Sequence, residues 1–221
     1  MFCPQCGAPA PFRGTTVSLV CEYCNSTIVR TGVDFSLVGR VSALVDSGSP
    51  ILLGSRGRYK GVPFEVTGRL QVTYARGTWN EWFVEFADGS TGWLADALGQ
   101  YALLKPGDPR RVAQRVPRFD EIAIGTVFPV DGVRGLVVDK RAAAYRGAEG
   151  SLPFEADPGR RFYGVDLRGF AGEFFTLDYG SRGDHREPQP YAGETVLLEA
   201  LKLHPLRTFS GWPRPTAAGG R

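Results

Sequence analysis

The clearest pattern along the chain is an alternation of apolar and polar residues that begins at residue 62. Within 62–74 the apolar residues share one parity: Phe64, Val66, Leu70, Val72 and Tyr74. A period of two predicts a strand with one buried face, and Gly68 in its middle predicts a bend or bulge. Residues 79–86 alternate in the same way, and Asp88-Gly89 after them is typical of a hairpin turn. We therefore predict a twisted antiparallel sheet of about five short strands, curled like a small barrel, over residues 50–104.

A second antiparallel unit of the same kind is predicted over residues 121–208. Short apolar runs indicate its strands: Phe128 to Val130, Val133 to Val138, Phe162 to Leu167 and Phe174 to Tyr179. Asp131-Gly132 is a second hairpin signal. Residues 196–203 fit a final strand or a short helix equally well, because periodicity does not decide at this length. The fold class predicted from these patterns is all-β.

The opening of the second unit repeats that of the first. Leu53-Gly54 and Gly61-Val62 mark the start of the first unit, and Ile124-Gly125 and Gly132-Val133 mark the start of the second. This correspondence predicts a diverged internal repeat. Short strands joined by many turns also account for the composition, because 29 glycines and 16 prolines supply the backbone geometry that turns need.

Three further segments separate or flank these units. Residues 33–49 carry a mixed pattern that is typical of a connector. Residues 105–120 are rich in proline and arginine, which indicates a linker. Residues 209–221 contain glycine and proline without an apolar pattern, and we expect a flexible tail there.

All four cysteines lie within the first 24 residues, as the pairs Cys3-x-x-Cys6 and Cys21-x-x-Cys24. Each pair folds into a tight turn that brings two thiolates to one ion, and two such turns complete a tetrahedron. The spacing predicts a zinc ribbon over residues 1–32 with one structural Zn²⁺ per chain, since four thiolates leave no open position for catalysis. Iron in a rubredoxin-like site is the alternative. A module this small buries too little apolar surface to fold alone, so the metal must supply much of its stability.

Several short motifs carry a family resemblance. In the first unit they are Gly61-Val62, Val66-Thr67-Gly68, Trp79-Asn80-Glu81-Trp82 and Gly92-Trp93-Leu94. In the second unit they are Ala148-Glu149-Gly150-Ser151-Leu152-Pro153, Asp166-Leu167-Arg168, Phe174-Phe175-Thr176-Leu177-Asp178-Tyr179 and Tyr191-Ala192-Gly193. On these residues the chain resembles the bacterial family catalogued as domain of unknown function 4178, over most of residues 3–208. The resemblance implies a β-rich fold with an N-terminal zinc ribbon and two such units. It also implies genomic company with membrane-stress and polyamine-related genes, and it supplies no catalytic residues.

The chain offers little that is typical of a catalytic constellation. Its two histidines are His185, in a polar loop, and His204, which precedes a proline. The cysteines are assigned to the metal, and no Gly-x-Ser-x-Gly motif is present. A hydrolase-type enzyme that uses His185 with Asp178 or Asp184 is therefore the weakest alternative, because a solvated loop histidine is the simpler interpretation.

Binding is the function that we expect instead. Trp79 falls on the parity opposite to the apolar face of its strand, so we expect an exposed ring that contacts a protein partner. A nucleic-acid-binding module that uses the ribbon and the arginine-rich linker is the alternative, because the net charge of +3 is concentrated in the linker. The linker arginines that would contact the nucleic acid are Arg110, Arg111, Arg115 and Arg118.

The first residues lack the basic and apolar regions of a secretory signal. The longest apolar runs are far shorter than the roughly 18 residues that a membrane span needs. We therefore expect a cytoplasmic, non-catalytic, zinc-containing adaptor or regulatory scaffold that acts through protein–protein contacts. The family resemblance adds a bacterial membrane-stress or polyamine-linked pathway to this expectation.

Overall fold

The computed structural model describes residues 1–31, 34–40, 44–112, 116–183 and 187–210. The all-β prediction is confirmed, and the strands of these ranges form one antiparallel sheet. The strands are β1 (Ser18–Val20), β2 (Ser26–Thr31), β3 (Asp34–Arg40), β4 (Arg56–Tyr59), β5 (Val62–Tyr74), β6 (Gly77–Phe86), β7 (Thr91–Ala97), β8 (Gln100–Pro106), β9 (Val127–Val130), β10 (Val133–Leu152), β11 (Arg161–Arg168), β12 (Glu173–Asp178) and β13 (Gln189–Val196). Short 3₁₀ helices lie at Pro109–Arg111, Phe119–Glu121 and Leu198–Leu201. Across these ranges no helix has the length and apolar character needed to cross a membrane.

Eight of the strands close into a ring. Their order around it is β10, β11, β12, β13, β8, β7, β6 and β5, and the pairing of β5 with β10 completes the circle. Each unit contributes four strands, so the curvature predicted for each unit is realised in one ring that the two units share. A closed ring of eight strands leaves an interior that is just wide enough for side chains or one small ligand.

The two units are related as the predicted internal repeat. The Gly54 N–H donates to the Val66 carbonyl at 2.8 Å, and the Gly125 N–H donates to the Val137 carbonyl at 2.9 Å. Both units then turn through two residues with positive φ, Lys60-Gly61 in the first and Asp131-Gly132 in the second. The units meet through equivalent strands, because β5 pairs with β10 and β8 pairs with β13, both antiparallel. This arrangement is typical of a pair related by a twofold axis.

Gly68 gives β5 the predicted bulge. The register of β5 against β6 shifts between Val66 and Gly68, which leaves Thr67 as the extra residue. Strand β10 crosses closely at the same point, because a Cβ atom on Gly68 would collide with the carbonyl oxygen of Ser151. The absence of a side chain at Gly68 therefore permits the close approach that closes the ring.

Each unit also has an apolar core outside the ring, and a strap from the other unit covers it. After β8, residues 107–112 and 116–122 pass over the second unit and bury Val112 and Ile122 in its core. After β13, residues 197–206 pass over the first unit and bury Leu201 and Leu203 in its core. We call these segments the first and second strap. The first strap includes most of the predicted linker, and the second contains the short helix allowed at residues 196–203.

Three elements differ from the sequence predictions. Strand β10 continues to Leu152, well beyond the predicted run Val133 to Val138, because it pairs in succession with β9, β11, β5 and β1. Strand β13 was not predicted, since Pro190 and Gly193 weaken its pattern, yet a Cβ on Gly193 would collide with the Leu103 carbonyl. Strand β3 occupies the first part of the predicted connector. In each case pairing with a distant strand outweighs local preference.

Replacing Gly68 by alanine should destabilise the protein, because the new methyl group must displace the backbone of Ser151. The expected loss is about 1–3 kcal/mol in the free energy of unfolding, measured by urea titration. Gly14→Ala is the matched control, since nothing lies within 4 Å of its added Cβ. Equal unfolding free energies for the two variants would contradict the close approach of β10.

Candidate functional site

Two turns of the same geometry bring the four cysteines together. The Gly7 N–H donates to the Cys3 carbonyl at 2.9 Å, and the Asn25 N–H donates to the Cys21 carbonyl at 2.9 Å. Gly7 and Asn25 both have positive φ, at 75° and 56°. Glycine and asparagine are the residues that adopt this conformation most easily, so the residue after each pair fixes the turn.

The cysteine sulfurs have the spacing of a tetrahedral metal site. Sγ of Cys3 lies 3.7 Å from Sγ of Cys24, and Sγ of Cys6 lies 3.7 Å from Sγ of Cys21. All four sulfurs lie within 4.8 Å of one another. Four sulfurs held tetrahedrally about 2.3 Å from one ion are about 3.8 Å apart. The four cysteines can therefore hold one metal ion.

The cysteine module is joined to the ring by main-chain hydrogen bonds. Strand β1 pairs with the end of β10, and the Val17 N–H donates to the Leu152 carbonyl at 2.9 Å. The Ser18 hydroxyl donates to the Phe154 carbonyl at 2.6 Å. Leu152 itself is buried among side chains that line the ring. The folded structure of the cysteine module and the position of the end of β10 therefore depend on one another.

The cysteine module also exposes apolar side chains beside the four cysteines. Phe2, which precedes Cys3, is 69% exposed, and Tyr23, which precedes Cys24, is 71% exposed. Six of the twelve large apolar side chains exposed in the described ranges lie in residues 1–40: Met1, Phe2, Tyr23, Phe35, Leu37 and Val38. Such a concentration in so small a part of the chain is typical of an interaction surface.

Side chains from non-adjacent strands meet inside the ring. Trp79 on β6 contacts Phe162 on β11, with 6.4 Å between ring centroids. The guanidinium of Arg141 on β10 lies 4.9 Å from the centroid of the Trp79 ring. Neither β10 nor β11 adjoins β6 in the strand order, so these contacts cross the interior.

Arg141 is the centre of a charged cluster in this interior. Its guanidinium donates to both carboxylate oxygens of Asp166, at 2.6 and 3.2 Å, and to Asp139 at 2.7 Å. The Thr176 hydroxyl donates to Asp166 at 2.8 Å. The Arg141 and Asp166 side chains are only 10% and 14% exposed, so the charge-assisted hydrogen bonds between them are shielded from water. The cluster therefore fixes the relative positions of β10, β11 and β12.

Glu81 places a carboxyl group that titrates near neutral pH in the same interior. The Trp79 indole N–H donates a hydrogen bond to the Glu81 carboxylate at 2.7 Å. Enclosure by the surrounding strands raises the pKa of Glu81 to about 7, although the Trp79 N–H and the charge of Arg141 both favour the ionised form. A carboxyl group of this kind can accept or donate a proton close to physiological pH, and it stands beside a fixed positive charge.

Trp79 is not exposed, in contrast to the expectation from its parity. Only 8% of its surface is accessible, because the second face of β6 points into the ring rather than into solvent. The same reason explains why sequence reasoning missed the interior cluster. Charged residues on the polar face of an alternating strand usually lie in solvent, and Glu81 and Arg141 are charged residues of this kind. The sequence signal that could have revealed this interior is a tryptophan two residues from a glutamate, on the same face of one strand.

The described arginines of the predicted linker are each paired with an aspartate. The pairs are Arg110 with Asp108 at 3.1 Å, Arg111 with Asp131 at 3.1 Å, and Arg118 with Asp120 at 3.4 Å. These arginines do not form one positively charged surface, because a neighbouring aspartate balances the charge of each. Arg115 and the histidine of the enzyme alternative, His185, lie outside the described residues, as does Asp184.

Fold and site together define an all-β protein, with two repeat units in one ring and a four-cysteine module at the start. The family model described as Domain of unknown function (DUF4178) matches residues 52–197. The chain therefore belongs to this family, as the resemblance of its motifs predicted. The match includes all eight strands of the ring and does not include the four cysteines. Comparison with curated proteins and with solved structures found no match.

Glu81→Gln should change how stability depends on pH. The unfolded chain releases the Glu81 proton near pH 4.3, whereas the folded protein releases it near pH 7, so Glu81 favours folding at low pH. That contribution is lost as the pH rises from about 4.3 to 7. The variant lacks this loss and should gain free energy of unfolding relative to wild type between pH 5 and pH 8, measured by urea titration. A difference that is constant over this range would contradict the raised pKa.

Proposed function

We propose that the protein is a non-catalytic, zinc-containing adaptor that binds a protein partner through its cysteine module. The observation that carries this proposal is the exposure of Phe2 and Tyr23 on the two turns that hold the metal. Aromatic side chains supply much of the binding energy at protein interfaces, because they bury a large area with little loss of side-chain freedom. The metal would hold both rings in fixed positions.

Zinc is the metal that we propose for the four thiolates. The sulfur spacing suits a tetrahedral ion, and a complete set of four cysteines is the ligand set of structural zinc. Four protein ligands leave no position for a water or substrate, which favours a structural role over a catalytic one. The cysteine module has a small apolar core in which Leu19 and Ile28 pack against the cysteines. Zinc would therefore supply much of its folding energy.

A protein partner is favoured over a nucleic acid by the charge distribution. The described arginines of the first strap are balanced by aspartates, so their attraction for a phosphate backbone is reduced. The exposed residues beside the metal are apolar and aromatic rather than basic. The family resemblance suggests a membrane-stress or polyamine-linked pathway as the setting in which such an adaptor works.

Purified protein should contain about one zinc ion per chain by elemental analysis. Cys6→Ser, or treatment with a chelator, should remove the ion and lower the midpoint of thermal unfolding by at least about 5 °C, because β1 and the end of β10 lose their support. Addition of zinc to the chelated wild type should restore the midpoint, and it should not restore the variant. A visible absorption spectrum of iron–thiolate charge transfer, or a metal-free protein of unchanged midpoint, would overturn the assignment.

The adaptor proposal predicts that partner capture depends on the two exposed rings. In affinity capture from a native-source lysate, Phe2→Ser with Tyr23→Ser should lose at least about nine tenths of a reproducible partner while retaining zinc. Phe170→Ser with Leu197→Ser is the matched control, since these residues are 76% and 74% exposed and lie far along the chain. Capture that both double variants retain equally would contradict this surface, and turnover of a small molecule without any partner would contradict the adaptor function.

A further inference from the structure

The interior of the ring has space beside Glu81. Ala95 lies opposite Glu81 on β7, and Ala102 lies opposite Ala95 on β8, so small side chains follow Glu81 around the inner face. Glu81, Ala95 and Tyr191 face the interior of a closed ring, and yet they are only half-buried. Surface that stays accessible inside such a ring indicates space that the side chains do not fill. A ring of eight strands can hold one small ligand in this position.

A glycine leaves room on the opposite side of the same interior. Gly164 on β11 lies opposite Arg141 on β10. The nearest neighbours of a Cβ atom at Gly164 would be Phe162 at 3.6 Å and the guanidinium of Arg141 at 3.9 Å, which are ordinary contacts. Nε of Arg141 is buried and has no hydrogen-bond partner among the described residues. A buried donor of this kind requires an acceptor, which a bound molecule can supply.

The charge around this space is negative. Three carboxyl groups surround the single guanidinium of the cluster. Asp139 and Asp166 accept hydrogen bonds from Arg141, and the charge of Arg141 also acts on Glu81. Three carboxylates against one guanidinium attract a cation into the interior and repel an anion.

Tyrosine hydroxyls and aromatic rings complete the walls. Burial and the nearby charge of Glu81 raise the pKa of Tyr191 to about 12, and the same two causes raise the pKa of Tyr145. Both hydroxyls therefore stay protonated, and neither is bonded to another of the described residues. Beside them runs a chain of aromatic rings whose centroids lie 5.6–6.4 Å apart: Trp79, Phe162, Tyr145 and Phe154. Carboxylates, hydroxyls and aromatic rings together recognise organic ammonium ions.

We propose that the interior of the ring binds one small organic ammonium ion that also carries a hydrogen-bond acceptor. The ammonium group lies against Glu81 and the two tyrosine hydroxyls, and the acceptor faces Nε of Arg141. Because strands surround the site, its ligand is a free small molecule rather than a group that stays attached to a membrane or a protein. The site does not rest on the adaptor function, since Phe2 and Tyr23 take no part in it.

The test is calorimetric titration of zinc-loaded, full-length protein at pH 8, where Glu81 is ionised. Ethanolamine carries both an ammonium group and a hydroxyl, and one molecule should bind per chain. Ethylene glycol lacks the charge and should bind at least about tenfold more weakly. Propylammonium lacks the acceptor and should bind at least about threefold more weakly. Equal affinity for the three compounds overturns the proposal, as does binding only to phosphatidylethanolamine vesicles and not to free ethanolamine.

A matched pair of variants tests the role of Glu81. Glu81→Gln keeps the shape of the side chain and removes its charge, so ethanolamine should bind at least about tenfold more weakly. Glu199→Gln is the control and should bind as wild type, since Glu199 is exposed on the second strap. The thermal midpoint of each variant shows whether it is folded.

A second pair keeps the proposal testable if Glu81→Gln does not fold. Gly164→Ala adds a methyl group that makes only ordinary contacts, so its thermal midpoint should be unchanged or higher. The methyl group occupies space beside Arg141 and should weaken ethanolamine binding at least about fivefold. Gly14→Ala is the control and should bind as wild type, since nothing lies within 4 Å of its added Cβ. Full binding by folded Glu81→Gln or by Gly164→Ala overturns the proposal.

Discussion

The structure depends on the antiparallel pairing of β5 with β10. These two strands belong to different repeat units, and Gly68 faces Gly150 where they cross. A Cβ atom at either position would collide with the opposing backbone, at Ser151 or at Thr67. Two glycines thus allow two curved sheets to become one ring. Without this contact the charged interior would have no second wall, and the end of β10 would have no fixed place at which to pair with β1.

Closing the ring creates an interior that a single open sheet lacks. An open antiparallel sheet has one buried face and one wet face, whereas here both faces of β6 are covered. The outer face packs Trp82 and Val84 under the second strap, and the inner face carries Trp79 and Glu81. Three hydrogen bonds to two carboxylates offset the desolvation of the buried Arg141 guanidinium. The polar interior therefore specifies which strands meet.

The convergence of the four cysteines could be predicted from sequence almost completely, because its information is local. Two Cys-x-x-Cys pairs and the residues after them, Gly7 and Asn25, determine both turns. The strands of residues 62–86 and the repeat were predictable for the same reason, since alternation and turn residues lie within short windows. The burial of Trp79 was not predictable, because it depends on whether β5 meets a strand some 80 residues away. Strand β13 was hidden in a similar way, since Gly193 is required by Leu103 of a different unit.

The straps carry a consequence for how this architecture can be divided. Each strap follows the last strand of one unit and completes the core of the other, so neither unit contains all of its own core. A chain that held one repeat and its strap would complete its core only as a dimer in which each strap covers the other copy. The present chain is the covalent counterpart of such an exchanged pair. Removal of either half would expose part of the core of the other, so we expect the two repeats to unfold together.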